Sequence, residues 1–188
     1  MSEEAPSNFW AVVRADLISN VDPTGKSAFR FWITVLGKLM IAPQVHAVLT
    51  FRIGHALSRL RLRPFGLLLK AHSLGSTGAD IHPYAKIGPG FCLVHTSGVV
   101  IGQGVVVGRD CRMHQGVTIG EPGRGSRAAM SNPVIGDQVT IGAHAVIMGP
   151  AHVGNRAIIG ANSVVVSDIP DDAIAAGIPA RVIRTVAN

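Results

Sequence analysis

The sequence predicts an α+β protein: a helical N-terminal region over residues 1–78, followed by a parallel β-helix over 79–188. Three observations predict it. An aliphatic residue recurs every six positions from Ile81 to Val165, glycine repeatedly follows it, and upstream of Ala79 the apolar residues fall at helical spacing instead. Composition agrees. Of 188 residues 47% are apolar and 15% charged, which excludes a disordered chain and allows a sizeable core. Aromatic residues are only 5% against 22 glycines, so the core is built in thin, regular layers.

The helical region reads in four pieces. "NFWAVVRADLIS" opens it with Asn8 as N-cap. "DPTGKS" breaks the pattern, and "SAFRFWITVLGKLMIA" runs up to Pro43. "QVHAVLTFRIGHALSRLRL" places Val45, Val48, Leu49, Ile53, Ala56, Leu57 and Leu60 on a helical stripe that Pro64 is expected to end, and "FGLLLKAHSL" is a short fourth helix.

From Ala79 the period is six. The leading aliphatic positions are Ile81, Ile87, Leu93, Ile101, Val107, Met113, Ile119, Ile135, Ile141, Ile147, Val153, Ile159 and Val165. Six residues make one short strand and one corner, and three such units close a triangular coil. The leading side chain fills the axis. The fourth residue after it shares the interior and is small or slim, as at Ala85, Ser97, Val105 and Cys111; Phe91 is bulky. Glycine directly after the leading residue is expected to take the tight corner. Stacked coils pair as parallel strands about 4.8 Å apart. The period breaks twice: two extra residues lie between Leu93 and Ile101, and ten between Ile119 and Ile135, giving an extended loop over 120–134. Loops longer than a repeat requires tend to carry function. "SDIPDDAIAAGIPARVIR" then closes the stack.

Charge excludes several partners. Residues 1–78 hold nine Lys/Arg against four Asp/Glu, and 79–188 hold eight against seven. The basic excess, notably Arg59, Arg61, Arg63 and Lys70, reads as a solvated helix face, with attraction to an anionic partner as the alternative. No aromatics interleave with these charges, so no nucleic-acid partner is expected. Cys92 and Cys111 have neither CxxC nor zinc spacing and suit a reducing cytoplasm. The N-terminus lacks a signal-peptide layout, and the longest apolar run contains Lys38 and is too short for a transmembrane segment.

"HAVLTFRIGHAL", "DIHPYAKIGPG", "VHTSGVVIG", "QGVTIG" and "AAGIPARVI" together resemble the serine O-acetyltransferase family of hexapeptide acyltransferases, over His46 to Arg184. The resemblance implies a left-handed β-helix, which the general crossover rule would not favour. It also implies acetyl-CoA (or another acyl-CoA) as donor, a small-molecule hydroxyl as acceptor, no metal, and a homotrimer with a hexamer as the alternative. It makes His95 the general base and Asp80 its orienting partner. Read from the residues alone, Asp80 equally suits a corner cap and His95 a surface histidine. Spacing brings the two near one edge of the prism; their pairing comes from the family.

For CoA the resemblance points to Gly142, Ala143, Gly160, Ala161, Ala176 and Gly177, with Arg181 and Arg184 toward its phosphates, although the fold itself asks for these small residues. For the acceptor it points to Asp22, Val94, His114, Arg127 and Asn132. Two of these positions depart from the family. Val94 stands where the family has an Asp beside the catalytic histidine, and Ser131 and Asn132 replace an Arg-His pair that faces the serine carboxylate. Arg124 or Arg127 is the substitute cation. The expected reaction is O-acetylation of serine or a serine-like hydroxyl. A sugar or specialised-metabolite hydroxyl is the alternative, and a non-catalytic trimeric scaffold is a further one. A zinc carbonic anhydrase on this prism would need a close His pair, whereas His95 and His114 are nineteen apart. His46 and His55 are expected to pack or hydrogen-bond around the third helix, His82 to be structural, and His144 and His152 to be solvated.

Overall fold

The computed structural model describes residues 8–21, 27–121 and 132–185. Helices come first: α1 (Phe9–Val21), α2 (Ala28–Ile41), α3 (Pro43–Arg59) and α4 (Arg63–Thr77). Asn8 caps α1, its Oδ1 accepting from the Trp10 amide at 3.3 Å, and Ser27 caps α2. α3 stops at Arg59, five residues before Pro64, and Arg61 turns the chain with φ 65°. Pro64 instead lies in the first turn of α4, where its missing N–H removes no helical bond, so α4 is longer than "FGLLLKAHSL" suggested. α4 ends at Gly78, whose φ of 76° only glycine adopts freely.

Short strands follow: β1 (Asp80–Ile81), β2 (Lys86–Ile87), β3 (Cys92–Leu93), β4 (Val100–Ile101), β5 (Val106–Val107), β6 (Arg112–Met113), β7 (Thr118–Gly120) and β8 (Val134–Ile135). Then come β9 (Thr140–Ile141), β10 (Val146–Met148), β11 (His152–Val153), β12 (Ile158–Ile159), β13 (Val164–Val165), β14 (Ala173–Gly177) and β15 (Ala180–Thr185). Every third strand shares a sheet: β1-β4-β7-β10-β13, β11-β8-β5-β2, and β15-β14-β12-β9-β6-β3. Pairing is parallel and in register, Ile101 beside Ile119 and Ile141 beside Ile159; only β15 returns antiparallel to β14. The result is a three-walled prism.

All thirteen leading aliphatic residues are buried, none more than 8% exposed. Full burial of such a side chain stabilises by about 1.5–3 kcal/mol, so the axis is the core of this half. The companion interior position holds as expected at Ala85, Val105, Cys111 and their successors. Ser97 is the exception. It is exposed, and Val99, at 0% exposure, takes the inward place, because the two extra residues shift the register before the coil resumes.

The glycines after the leading residues have a different cause from the one expected. None of them has positive φ; the left-handed residue is two places further on, at Gly90, Gly104, Asp110, Gly116, Gln138, His144, Arg156 and Asn162. What excludes a side chain at Gly88, Gly108, Gly136, Gly142, Gly154 and Gly160 is the next coil, whereas Gly102 and Gly120 have room for a Cβ. A Cβ on Gly108 would stand 2.5 Å from the Gly136 carbonyl oxygen, and one on Gly142 would stand 2.6 Å from the Ala161 nitrogen. At those six positions coil stacking, not corner conformation, demands glycine.

The helices close the open end of the prism through a buried polar latch. Arg52 of α3 donates to both Asp16 carboxylate oxygens (2.7 and 3.1 Å) and to the Ile87 and Gly88 carbonyls (2.6 Å each). Asp16 accepts the Phe91 amide at 3.0 Å. Asn20, one helical turn on, accepts the Leu93 amide at 3.2 Å and donates to the Phe91 carbonyl at 2.8 Å. β3 is an edge strand, and these side chains satisfy backbone groups that a further coil would otherwise pair. Burial outweighs the Arg52 guanidinium and the amides, and it raises the Asp16 carboxyl above the usual range.

Candidate active site

One edge of the prism gathers most of the residues expected to act. It is the corner between the β3 sheet and the β4 sheet. Register places Leu93, Met113, Ile141, Ile159 and Ala175 in one column. The residues that follow them, Val94, His114, Gly142, Gly160 and Ala176, therefore form a second column at the mouth of the corner. Amide-to-carbonyl bonds tie its rungs: Val94 to Met113 (2.8 Å), His114 to Ile141 (3.1 Å), Gly142 to Ile159 and Gly160 to Ala175 (2.8 Å each). The corner residues beyond stack in the same way, Gly98 on Gly78, Gly116 on Ser97, His144 on Gln115 and Asn162 on Ala143. Positions spread over more than eighty residues of sequence thus line one straight edge. Four steps of about 4.8 Å between the five rungs make it about 19 Å long.

His95 lies at the upper end of this edge, exposed, in the corner that the two extra residues widen. Thr96 folds inward at 4% exposure and its carbonyl accepts the Val99 amide at 3.1 Å, which turns the neighbouring His95 outward. Val94 is half-buried beside it, and His114 is half-buried one coil on. At the lower end β14 pairs with β15, Ala176 opposite Arg181, so Arg181 stands next to the last rung with its side chain in solvent.

Asp80 begins β1, directly above Val100, in the coil on which the widened corner rests. One of its oxygens lies 2.7 Å from Lys70 Nζ of α4. Among the described residues no hydrogen bond joins Asp80 to His95. His82 accepts the Tyr84 amide on Nδ1 at 3.2 Å, and burial, then the Lys70 charge, hold its ring below the usual imidazole range. His55 donates from Nδ1 to the Pro83 carbonyl at 2.9 Å, and burial lowers it too; His46 bonds the Leu39 carbonyl through Nε2. His144 and His152 are exposed.

Asn132 is elsewhere. Its side chain rests against Gly104, where a Cβ would meet Asn132 Nδ2 at 2.5 Å, and so it occupies the corner between the β4 and β5 sheets. His95 and Asn132 stand on different edges of one prism. Asp22, Arg124, Arg127 and Ser131 lie outside the described residues.

The small residues of the lower edge suit a thin, amide-bearing ligand arm, since Ala143 and Ala161 present methyl groups and open backbone. Gly142 and Gly160 are demanded by the stacking itself, a Cβ on Gly160 falling 2.8 Å from that of Ala176.

The bacterial transferase hexapeptide model, of six repeats, matches residues 132–167. The serine acetyltransferase of Helicobacter pylori strain J99 is 39% identical over 145 residues, covering 77% of this chain and 84% of that one. The chain belongs to the serine acetyltransferase family. Against the family's Synechococcus elongatus enzyme identity is again 39% over 145 residues, but the chain spans only 59% of that protein's length. Among solved members, serine acetyltransferase of Brucella abortus strain S19 superposes with a TM-score of 0.81 at 33% identity, covering 95% of this chain and 69% of that one. The Neisseria gonorrhoeae enzyme in complex with serine gives 0.80 at 32%, covering 94% and 69%. A serine acetyltransferase in complex with CoA gives 0.78 at 33%, covering 93% and 69%. The prism is accordingly the left-handed β-helix of that family.

Sequence reasoning missed the latch and the Lys70–Asp80 pair. A signal for the first was present: Asp16 and Asn20 are one helical turn apart on the face that also buries Val13, a polar pair where an amphipathic helix should be apolar.

Proposed function

We propose that the chain is an acetyl-CoA-dependent O-acetyltransferase, acting on the hydroxyl of serine or of a serine-like small molecule with His95 as general base. The observation that carries this is the single edge. The exposed His95, the half-buried His114, a run of small residues and a terminal arginine follow one another on successive coils.

An alcohol is a poor nucleophile at neutral pH. His95 takes the hydroxyl proton as that oxygen bonds to the thioester carbonyl carbon. When the carbon–sulfur bond breaks, the imidazolium returns the proton to the departing sulfur, so the products are the ester and free CoA. General-base assistance of this kind contributes about 10²–10⁴ in rate. Asp80 would fix the ring's tautomer and stabilise the imidazolium, as the acid of a hydrolase triad does. Lining both reactants along one edge supplies much of the rest. Gly142, Ala143, Gly160, Ala161, Ala176 and Gly177 receive the donor's arm through backbone groups, and Arg181 meets its phosphates.

The separate edges of His95 and Asn132 support a site completed across the groove between two copies, hence a homotrimer. Asp22, His114, Arg127 and Asn132 are assigned to the acceptor. Two free, buried cysteines support a cytoplasmic setting. Among the described residues no single helix is long and apolar enough to cross a membrane.

One observation favours a second acceptor. Val94, half-buried and apolar, adjoins His95 where the family resemblance expects an acid. A site that loses a charged partner discriminates poorly for a zwitterion, so a sugar or other neutral hydroxyl compound is the second reading. CoA thiol release should be followed with L-serine and with a panel of alcohols. Turnover abolished in His95→Ala, at about 10²-fold or more, is expected. Unchanged release in that variant would overturn the mechanism, and efficient use of L-serine alone would overturn the second acceptor.

A further inference from the structure

We infer that Lys70 is a positioning residue of the acyl-transfer site, acting on His95 through Asp80. The inference rests on the pairing of those two residues proposed above.

Lys70 differs in kind from the basic residues near it in sequence. Arg59, Arg61 and Arg63 are exposed. Lys70 belongs to the stripe Gly66, Lys70, Ser73, Thr77 on α4, whose other three members are all buried. Its reach is set by close packing. α3 and α4 meet at Gly54 and Gly66, where a Cβ on Gly66 would stand 2.8 Å from the Gly54 carbonyl oxygen and 2.2 Å from Ser58 Oγ. One turn beyond that contact, Lys70 Nζ comes 2.7 Å from Asp80 Oδ1, with the two side chains 28% and 27% exposed. Oδ1 itself is fully buried and no hydrogen bond of good direction reaches it, so the ammonium supplies its counter-charge.

An ammonium grips one carboxylate oxygen as a point charge, where a guanidinium tends to take both. Lys70 therefore fixes the carboxyl plane from one side and leaves Oδ2 to receive an imidazole N–H. Among the described residues, besides the proposed partner His95, the charged and titratable groups that interact with Asp80 are Lys70 from α4 and His82 from the following corner, and His82 senses both. Lys70 lowers its ionisation while Asp80 opposes that.

The test compares Lys70→Met and Lys70→Arg with the unaltered chain. Expected for Lys70→Met is a ten-fold or greater fall in kcat, with KM for acetyl-CoA within two-fold. Removing a cation from beside an acid–base pair favours the protonated base, so the acid limb of the kcat/KM profile should move to higher pH. Lys70→Arg keeps the charge but tends to take both oxygens, so it should return the limb while recovering only part of the rate. An NMR titration of His82 reads the pair without any turnover, and its midpoint should rise in Lys70→Met. Wild-type kcat with an unmoved limb overturns the inference. So does a limb that stays displaced in Lys70→Arg, since the charge alone should restore it, or a loss that tracks a lowered melting temperature while the limb stays put, since a merely structural lysine gives that pattern. An unmoved His82 overturns the ion pair itself. If the unaltered chain acetylates no acceptor, the proposed function fails and the role of Lys70 fails with it, while a shifted His82 would show that the ion pair stands.

Discussion

Replacing Arg52 with methionine should be the most damaging single change to the junction between helices and prism. Arg52 is 6% exposed and Asp16 1%. The substitution keeps much of the side chain's volume but removes four donated hydrogen bonds, two to Asp16 and one each to the Ile87 and Gly88 carbonyls. Breaking one member of a buried pair costs about 3–5 kcal/mol. Two orphaned carbonyls push the figure up, while protonation of Asp16, already raised by burial, holds it down. A loss of about 4 kcal/mol corresponds to a melting temperature lower by about 8–16 °C in a chain of this size. Thermal and urea unfolding at one fixed protein concentration measure it. The companion variant Asp16→Leu/Arg52→Met removes both charges and should regain at least half of the loss, because an apolar pair often replaces a buried ion pair without penalty. A single variant costing under about 1 kcal/mol, or a double variant no better than the single, would refute the reasoning.

Glycine substitutions should separate two causes. Gly108→Ala, which forces a Cβ to 2.5 Å from the Gly136 carbonyl oxygen, should destabilise by about 2 kcal/mol or more. Gly37→Ala, within α2 and with nothing inside 4 Å, should stabilise by about 0.5–1 kcal/mol; both are read by urea unfolding. His55 is held below its usual pKa of 6.5, so its contribution to stability is fully present above pH 6.5 and is lost as pH falls through the lowered value. A pH series of melts should show that decline, and His55→Gln should flatten it. Burial raises the Cys92 thiol and pushes Cys111 up to about 11. A disulfide reagent should therefore label neither rapidly in the native protein and both in denaturant, which leaves thiol release from CoA measurable without background.

The prism was legible because six-residue spacing survives in one dimension. Each leading residue is inward for the same reason, and the period alone identifies it. The register slip at Ser97 was not legible, since counting cannot say on which side of an insertion the interior position resumes; Val99 takes it because its backbone returns to the β4 wall. Most of the glycines were placed correctly but for another reason, because the neighbour that excludes their Cβ, as at Gly108 and Gly142, lies on the following coil. Pro64 was ambiguous, as proline suits both the end of one helix and the first turn of the next. The latch and Lys70 required knowing how α1, α3 and α4 lean on β1 and β3, which no local pattern encodes. His95 was marked by the irregular corner, whereas the edge on which Asn132 stands depends on how the chain re-enters the stack at β8, which spacing does not give.

The straight edge acts as a ruler with fixed graduations. Its rungs are set by main-chain bonds between successive coils, Met113 to Ile141 and Ile141 to Ile159 among them, so side-chain drift leaves the reach from His95 to Arg181 unchanged. The smallest way to lengthen or shorten that reach is to gain or lose a whole coil. A prism of this type can diverge widely in the side chains at the top of the edge while the length of that edge stays the same.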